Sequence, residues 1–347
     1  MQLYLDSFGA FLSVYNGMFR IRMRSSGAVR DFPARAVEAI LLTKGTGMTT
    51  DAALLAVEND IPVLLIEAQT HYPLAQLSSG RPATIAAVRK NQVAFARSAA
   101  GLSWAAGCLA QKVARQRELL KRWMEQRDLD ADGASRVAVA DRMLAALQRT
   151  LGKPIADEDD LDTVVARLRG QEGTASRIYF QQVASLLSGA FEHFEYDDLS
   201  DIAFQGRQKR PAHDPFNALL NYLYGMLYTS VHLALLKAGL DPYLGVLHAD
   251  RYGAAPTLVF DAIEPYRPWA DAVALHIVLG GWVGAEAFEQ RADPLEGLWL
   301  SPSGKDIAIE HMLRYLDEST PYDGRQVRRK VQIDLEAQFL KKRISND

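Results

Sequence analysis

Hydrophobic and polar residues alternate with a period of two along several short stretches of the first eighty residues. Met18 to Arg24 alternates in this way, and Asn16-Gly17 just before it is typical of a two-residue hairpin turn. The apolar run Ile61 to Ile66 has the length of a buried strand, with Pro62 tolerated near its start. The pattern predicts a helix over 50–59 and strands over 3–5, 10–15, 18–24, 39–43, 61–66 and 73–77.

After Ser79-Gly80-Arg81-Pro82 the apolar positions recur at helical spacing. This spacing predicts helices over 83–100, 103–125 and 216–238, and the acidic residues 157–160 favour the start of a helix over 161–168. Residues 191–213 mix aromatic and charged side chains and are typical of a long loop. We therefore predict an α+β protein with a β-sandwich-like domain in 1–78, a linker at 79–82 and a larger, mostly α-helical domain in 83–347.

The composition indicates an ordinary globular protein, because 347 residues with 48% hydrophobic content can bury a sizeable core. The single cysteine, Cys108, excludes an intrachain disulfide framework. Apolar stretches such as Val273 to Gly284 are shorter than the roughly 20 residues that span a bilayer. Together with the lack of a signal-like start, this predicts a cytoplasmic protein without a transmembrane helix.

The formal net charge of −3 does not indicate a nucleic-acid-binding protein, but two segments are locally basic. Residues 84–128 carry nine basic side chains against three acidic ones: Arg89, Lys90, Arg97, Lys112, Arg115, Arg117, Lys121, Arg122 and Arg127. Residues 325–343 carry seven against two: Arg325, Arg328, Arg329, Lys330, Lys341, Lys342 and Arg343. Such runs usually form solvated helix faces, but beside a phosphoryl-transfer site they would favour DNA contact.

Four side chains are candidates for a divalent-metal site: Glu172, His248, Asp261 and Glu264. The spacing of Asp261 and Glu264 places both carboxylates on one face if a helix begins there. Glycines beside Glu172 would let another backbone approach it closely. Carboxylates with one imidazole and no thiolate suit Mg²⁺ or Mn²⁺ better than a structural zinc, so the expected chemistry is phosphoryl transfer.

Each of these residues also has a structural interpretation. A single histidine such as His248 is more often a hydrogen-bonded structural group than a ligand, and two carboxylates in a first helical turn favour the helix dipole. Asn217 and Asn221, four residues apart on one helix face, are expected either to support the ligands or to form caps and interhelical bonds. Tyr222, Tyr224 and Tyr228 are expected to pack inside the protein more often than to stack on DNA bases.

Five blocks in fixed order resemble the Cas-one family, the CRISPR-associated endonuclease and integrase of spacer acquisition. They are Glu172 to Ala175 with Tyr179-Phe180, Asp214 to Tyr222, Gly239 to Pro242, Gly245 to His248, and Asp261 to Pro268. The amino-terminal segment also resembles that family's small β domain. The resemblance implies that Glu172, His248 and Glu264 hold the metal, with Asp261 an additional acidic group. Glu264 stands where some members have Asp, which leaves the coordination geometry open.

The resemblance further implies an integrase that inserts short DNA fragments into a CRISPR array, through attack of a fragment 3′-hydroxyl on a repeat phosphodiester. It implies double-stranded DNA as substrate, a homodimer formed through the β domain, and the small Cas-two protein as partner. Arg177 and Arg267 would contact phosphates near the metal or form structural ion pairs. No Walker glycine loop is present in the sequence, so ATP use is not indicated. Two other hypotheses remain, a metal-dependent nuclease or resolvase without integration and a DNA-binding scaffold with a vestigial site.

Overall fold

The computed structural model describes the chain except for residues 25, 78–85, 126–130, 157–158, 192–202, 209–210, 249–254, 292–296 and 347, and except for the side chains of 131, 132 and 346. The amino-terminal elements are β1 (Gln2–Leu5), β2 (Phe11–Tyr15), β3 (Met18–Arg22), β4 (Val29–Pro33), β5 (Ala39–Leu42), β6 (Gly47–Met48), α1 (Thr50–Glu58), β7 (Val63–Ile66) and β8 (Pro73–Leu77). The elements that follow are α2 (Ala86–Ala96), α3 (Ala99–Glu125), α4 (Ala131–Leu151), α5 (Leu161–Leu186), α6 (Pro215–Ala238), α7 (Thr257–Ala262), α8 (Arg267–Leu279), β9 (Phe288–Arg291), β10 (Gly297–Leu300), α9 (Pro302–Asp317), β11 (Ser319–Tyr322), β12 (Arg325–Arg328) and α10 (Arg329–Asn346).

The amino-terminal strands form two four-stranded sheets, ordered β1-β5-β7-β8 and β4-β3-β2-β6. Apolar side chains from both sheets, such as Leu5, Leu12, Phe19 and Ile40, share one buried core. The Asn16-Gly17 turn closes β2 onto β3 with both residues at positive φ, as a type I′ turn requires. This arrangement confirms the predicted sandwich-like β domain followed by helices.

The alternation pattern missed strands β4 and β6. Four of the five β4 residues are exposed, and β4 lies at the edge of its sheet, where only one neighbouring strand supports it. An edge strand needs no apolar face. β6 has two residues and is too short for any periodicity. The predicted linker at 79–82 lies outside the described residues.

Helix α6 forms the centre of the larger domain, with 20 of its 24 residues buried. Asp214 caps its start by accepting a hydrogen bond from the backbone N–H of Asn217, and Gly239 ends it in the left-handed conformation. Gly225 allows the loop between β7 and β8 to approach, because a Cβ there would lie 1.6 Å from the carbonyl oxygen of Thr70. The two parts of the chain are therefore tightly packed at this point.

The carboxyl-terminal part contains two short hairpins that the helical spacing did not predict, β9 with β10 and β11 with β12. Two other expectations also need correction. Helix α5 continues to Leu186, beyond the predicted 161–168. The helix predicted over 83–100 ends at Ala96, and a bend of 76° separates α2 from α3.

One described helix, α6, is long and apolar enough to cross a membrane, and the bent pair α2 and α3 passes the same test only when joined. Within the most apolar window of α6, 83% of the residues are buried inside the protein. Buried core helices of soluble proteins often have the same length and hydrophobicity, so these two properties of α6 are only weak support for a membrane span.

Candidate metal centre

Glu172, His248 and Glu264 line one cavity of about 550 Å³. Glu172 lies in the middle of α5, His248 in the loop after α6, and Glu264 at the start of the 3₁₀ turn Glu264–Tyr266 between α7 and α8. Three segments that are far apart in sequence thus bring the three predicted ligands to one place.

The loop that carries His248 is fixed on both sides. Arg169 on α5 donates a hydrogen bond to the carbonyl oxygen of Leu247 at 2.6 Å, one turn before Glu172. On the other side the N–H of Gly245 donates to Thr257 Oγ1, and a Cβ at Gly245 would lie 2.6 Å from the backbone carbon of Thr257. The absence of a side chain at Gly245 therefore permits the close packing that positions His248.

Lys112 of α3 lies between the two carboxylates. Its Nζ is 2.5 Å from Glu172 Oε1 and 2.7 Å from Glu264 Oε2, and its side chain is only 6% exposed. Glu264 Oε2 is within ion-pair distance of Nζ but receives no hydrogen bond of ordinary geometry. One buried ammonium thus serves two carboxylates.

The charges around Lys112 keep all three groups ionised. Burial alone would raise the pKa of Glu264, but the positive charges of Arg267 and Lys112 outweigh it and lower that pKa to about 2. Burial opposes ionisation of Glu172 as well, and the charge of Lys112 again brings the net pKa below its usual range. For Lys112 burial acts to lower the pKa, while Glu264 and Glu172 raise it.

Asp261 supports His248 and is not one of the residues that line the cavity. Its Oδ1 lies 2.6 Å from His248 Nδ1, and its Oδ2 accepts hydrogen bonds from the backbone N–H groups of Val246 and Leu247. These bonds leave Nε2 of the imidazole to face another partner. The helix expected to begin at Asp261 instead begins at Thr257, so Asp261 and Glu264 do not share a first helical turn.

Within the described part of the chain, no three His, Cys, Asp or Glu side chains converge closely enough to share an ion as they stand. The chemistry of Glu172, His248 and Glu264 nevertheless fits a divalent cation, because carboxylate oxygens are its usual ligands and the two glutamates already share a cation, the ammonium of Lys112. The glycines beside Glu172 do not have the expected role, because nothing described lies within 4 Å of a Cβ added at Gly170 or Gly173.

Asn217 and Asn221 hold Arg207, and no described hydrogen bond joins them to the predicted ligands. Arg207 donates from Nη1 to Asn217 Oδ1 at 2.9 Å and from Nη2 to Asn221 Oδ1 at 2.7 Å. Arg207 lines the cavity but was not a sequence candidate, since it lies in the segment predicted as a loop. Both predicted arginines line the cavity too, and Arg267 donates to Glu264 Oε1 at 2.8 Å.

Much of the basic run 84–128 is used within the protein. Lys112 pairs with two glutamates, Arg117 pairs with Asp141, and Arg89 pairs with Asp241. Arg115 donates to the carbonyl oxygen of Pro265. In the run 325–343, Arg328 and Lys330 approach Asp317, and Arg329 pairs with Glu318. Arg127 lies outside the described residues.

The sequence profile described as CRISPR associated protein Cas1 matches residues 3–314. The chain belongs to the Cas1 family. The CRISPR-associated endonuclease Cas1 1 of Thermus thermophilus is 31% identical over 314 residues, which cover 89% of this chain and 85% of that protein. A Cas1 endonuclease of Archaeoglobus fulgidus is 26% identical over 329 residues, covering 94% and 91%. The resemblance drawn from the five sequence blocks is thereby confirmed.

Solved structures share the fold of this Cas1 chain. A Cas1 protein from Thermotoga maritima aligns with a TM-score of 0.73 at 20% identity, covering 99% of this chain and 97% of the other. A casposase bound to an integration product aligns with a TM-score of 0.75 at 19% identity, covering 99% and 90%. A chain of a Cas6-RT-Cas1–Cas2 complex aligns with a TM-score of 0.76 at 21% identity, covering all of this chain and 35% of that longer one.

Proposed function

We propose that this Cas1 chain is the integrase of CRISPR adaptation, a metal-dependent DNA endonuclease and transesterase. It inserts short DNA fragments into a CRISPR array. The observation that carries the proposal is that Glu172, His248 and Glu264 line one cavity, in which the other charged residues among those described are all basic. Cas1 relatives named as endonucleases, and the fold shared with a casposase bound to its integration product, support it.

Glu172, His248 and Glu264 are the residues that would hold Mg²⁺ or Mn²⁺. When bound, such an ion polarises the scissile phosphate and helps to stabilise the alkoxide that leaves. Asp261 holds the imidazole through Nδ1, which leaves Nε2 as the ring nitrogen available to a metal ion. Lys112 Nζ lies between the two carboxylates, so a metal ion bound by both of them would have to displace this ammonium.

The reaction requires no covalent nucleophile from the protein. The 3′-oxygen of the fragment forms a bond to the repeat phosphorus, and the bond from that phosphorus to the neighbouring 3′-oxygen breaks. The proton of the attacking hydroxyl is lost and the departing oxygen gains one, so the number of phosphodiesters is unchanged. This balance agrees with the lack of an ATP-binding glycine motif in the sequence.

The assembly expected for this function is a homodimer formed through the β domain, bound to double-stranded DNA and to Cas2. Several large apolar side chains of the β domain are solvent-exposed, including Phe8 at 81% and Leu74 at 69%. A second copy packed against this domain would remove such side chains from water. The fold shared with a chain of a Cas6-RT-Cas1–Cas2 complex supports Cas2 as the partner.

The function is tested by joining a labelled DNA duplex to a supercoiled plasmid that bears a CRISPR array, with Mg²⁺ or Mn²⁺ and with or without Cas2. His248→Ala should abolish the joined product. The matched control is His276→Ala, because His276 is exposed on α8 and does not line the cavity. Metal-dependent cutting without joining would instead indicate a nuclease or resolvase, and inactivity of every variant with retained DNA binding would indicate a scaffold.

A further inference from the structure

Arg207 is held in the cavity by neutral groups. Its Nη1 donates to Asn217 Oδ1 and to the carbonyl oxygen of Gln208, and its Nη2 donates to Asn221 Oδ1. Asn217 is fully buried and fixed in turn, because its Nδ2 donates to Asp214 Oδ2 and to the carbonyl oxygen of Gly206. The acceptors that orient the guanidinium are therefore all uncharged, and the carboxylate of Asp214 is joined to it only through Asn217.

Arg207 forms no ion pair with a described carboxylate, unlike Lys112 and Arg267 beside it. Lys112 pairs with two glutamates, and Arg267 pairs with Glu264. Burial lowers the pKa of Arg207, and Tyr224 and the carboxylate of Asp271 act in the opposite direction. A guanidinium stays charged at any ordinary pH, so Arg207 is a partly buried cation whose described hydrogen-bond acceptors are all uncharged.

Two N–H groups of Arg207 have no acceptor among the described residues. A guanidinium has five N–H groups, and the described hydrogen bonds use two on Nη1 and one on Nη2. The N–H on Nε and the second N–H on Nη2 are left. Paired N–H groups of arginine match two oxygens of one phosphate.

The position of Arg207 places this anion-binding capacity beside the candidate metal ligands. The Cζ atoms of Arg207 and Arg267 each lie 5.0 Å from the centre of the Tyr224 ring. Tyr224 is fixed because its hydroxyl donates to the buried Asp271 at 2.5 Å. Arg207, Arg267 and Tyr224 all line the cavity that contains Glu172, His248 and Glu264.

We propose that Arg207, oriented by Asn217 and Asn221, binds a phosphate of the reacting DNA strand next to the scissile bond. This inference rests on the proposed integrase function and adds a DNA-binding residue to it. The two amides hold the guanidinium without neutralising it, and the DNA phosphate supplies the missing negative charge. Aspartate in place of Asn221 would accept the same hydrogen bond from Arg207 but would supply the negative charge itself, which removes the need for the phosphate.

The test measures binding of a branched DNA that mimics the integration product, by fluorescence anisotropy in EDTA over a series of salt concentrations. Arg207→Gln should weaken binding about tenfold, and should reduce the slope of log K against log salt by about one, because one phosphate contact releases about one counterion. Arg314→Gln is the matched control, since Arg314 is exposed on α9 and pairs with Glu310. The control should keep the wild-type slope.

Asn221→Asp separates a DNA contact from a structural role. The aspartate would accept from Arg207 Nη2 as the asparagine does at 2.7 Å, so a structural arginine would be held at least as well. If Arg207 binds phosphate, Asn221→Asp should lower affinity and slope in the wild type and have little further effect in the Arg207→Gln background. Equal effects in both backgrounds would overturn the inference.

Failure of this inference is distinguishable from failure of the proposed function. If the wild type binds and joins DNA and Arg207→Gln keeps the wild-type slope, Arg207 does not bind phosphate although the integrase function stands. If the wild type does not join DNA under any condition, the proposed function fails. In both cases thermal midpoints of all variants show whether they are folded.

Discussion

The position of Lys112 between two acidic side chains makes a substitution there the sharpest test of the candidate metal centre. Lys112→Met removes the charge but keeps a side chain of similar length. Glu172 and Glu264 would then face each other without the cation that lies 2.5 and 2.7 Å from them. We expect the variant to be less stable without metal, and we expect Mn²⁺ to restore much of that stability.

The size of the loss follows from the burial of the three groups. Removing one partner of a buried ion pair costs about 3–5 kcal/mol. The lower value applies here, because Glu264 keeps Arg267, Glu172 keeps Ser176, and the Glu172 side chain is 33% exposed. A loss of about 3 kcal/mol corresponds to a fall in Tm of about 6 °C, at roughly 2 °C per kcal/mol for a chain of this size.

The assay compares thermal unfolding of wild type and variant in EDTA and with added Mn²⁺. A divalent cation that no longer competes with the ammonium should bind more tightly, and tenfold tighter binding adds about 1.4 kcal/mol at saturating metal. The rise in Tm on adding Mn²⁺ should therefore be about 3 °C larger in Lys112→Met than in wild type.

A double variant shows whether the carboxylates cause the effect. Glu172→Gln in the Lys112→Met background removes one of the two repelling charges, so it should recover stability in EDTA. It should also lose the response to Mn²⁺, since one ligand is gone. The reasoning is refuted if Mn²⁺ raises the Tm of wild type and Lys112→Met equally, or if Lys112→Met is as stable as wild type in EDTA.

Two further predictions concern Asp261 and the buried His71. The carboxylate of Asp261 accepts from the N–H groups of Val246 and Leu247 and contacts His248 Nδ1, and Asp261→Asn replaces one of its oxygens by an amino group. Mn²⁺ affinity measured by calorimetry should therefore fall about 10–100-fold while the fold is kept. Unchanged affinity would argue against a positioning role for Asp261. Burial lowers the pKa of His71 from 6.5 to about 4. Between pH 6.5 and pH 4 the unfolded chain therefore binds a proton at this residue that the folded chain does not. The contribution of neutral His71 to the free energy of unfolding is present above pH 6.5 and is lost as the pH falls toward 4. Between pH 7 and pH 5 the free energy of unfolding should fall by on the order of 2 kcal/mol through this residue. Asparagine tolerates the local φ of +58°, so His71→Asn should fold, and its free energy of unfolding, measured in urea at the two pH values, should fall by correspondingly less. Equal losses in both proteins would show that another group titrates.

The local sequence determined the regular elements that have a strong apolar pattern. The alternation in 18–24 and the Asn16-Gly17 turn predicted the β2–β3 hairpin, and the spacing of apolar residues predicted the central helix α6 within one residue of its start. Elements without such a pattern, the exposed edge strand β4 and the carboxyl-terminal hairpins, were not predictable, because strands of four or five residues, most of them with exposed side chains, show no clear apolar period.

The sequence by itself also determined the family, and through it the three candidate ligands Glu172, His248 and Glu264. Only the tertiary structure decided what surrounds them. Lys112 belongs to a basic run that resembles a solvated helix face, and its role depends on the packing of α3 against α5 and against the turn that carries Glu264. Arg207 meets its amide partners only because the segment before α6 folds back onto that helix. Charge pairing inside a protein depends on distances in space, and spacing along the chain carries no record of them.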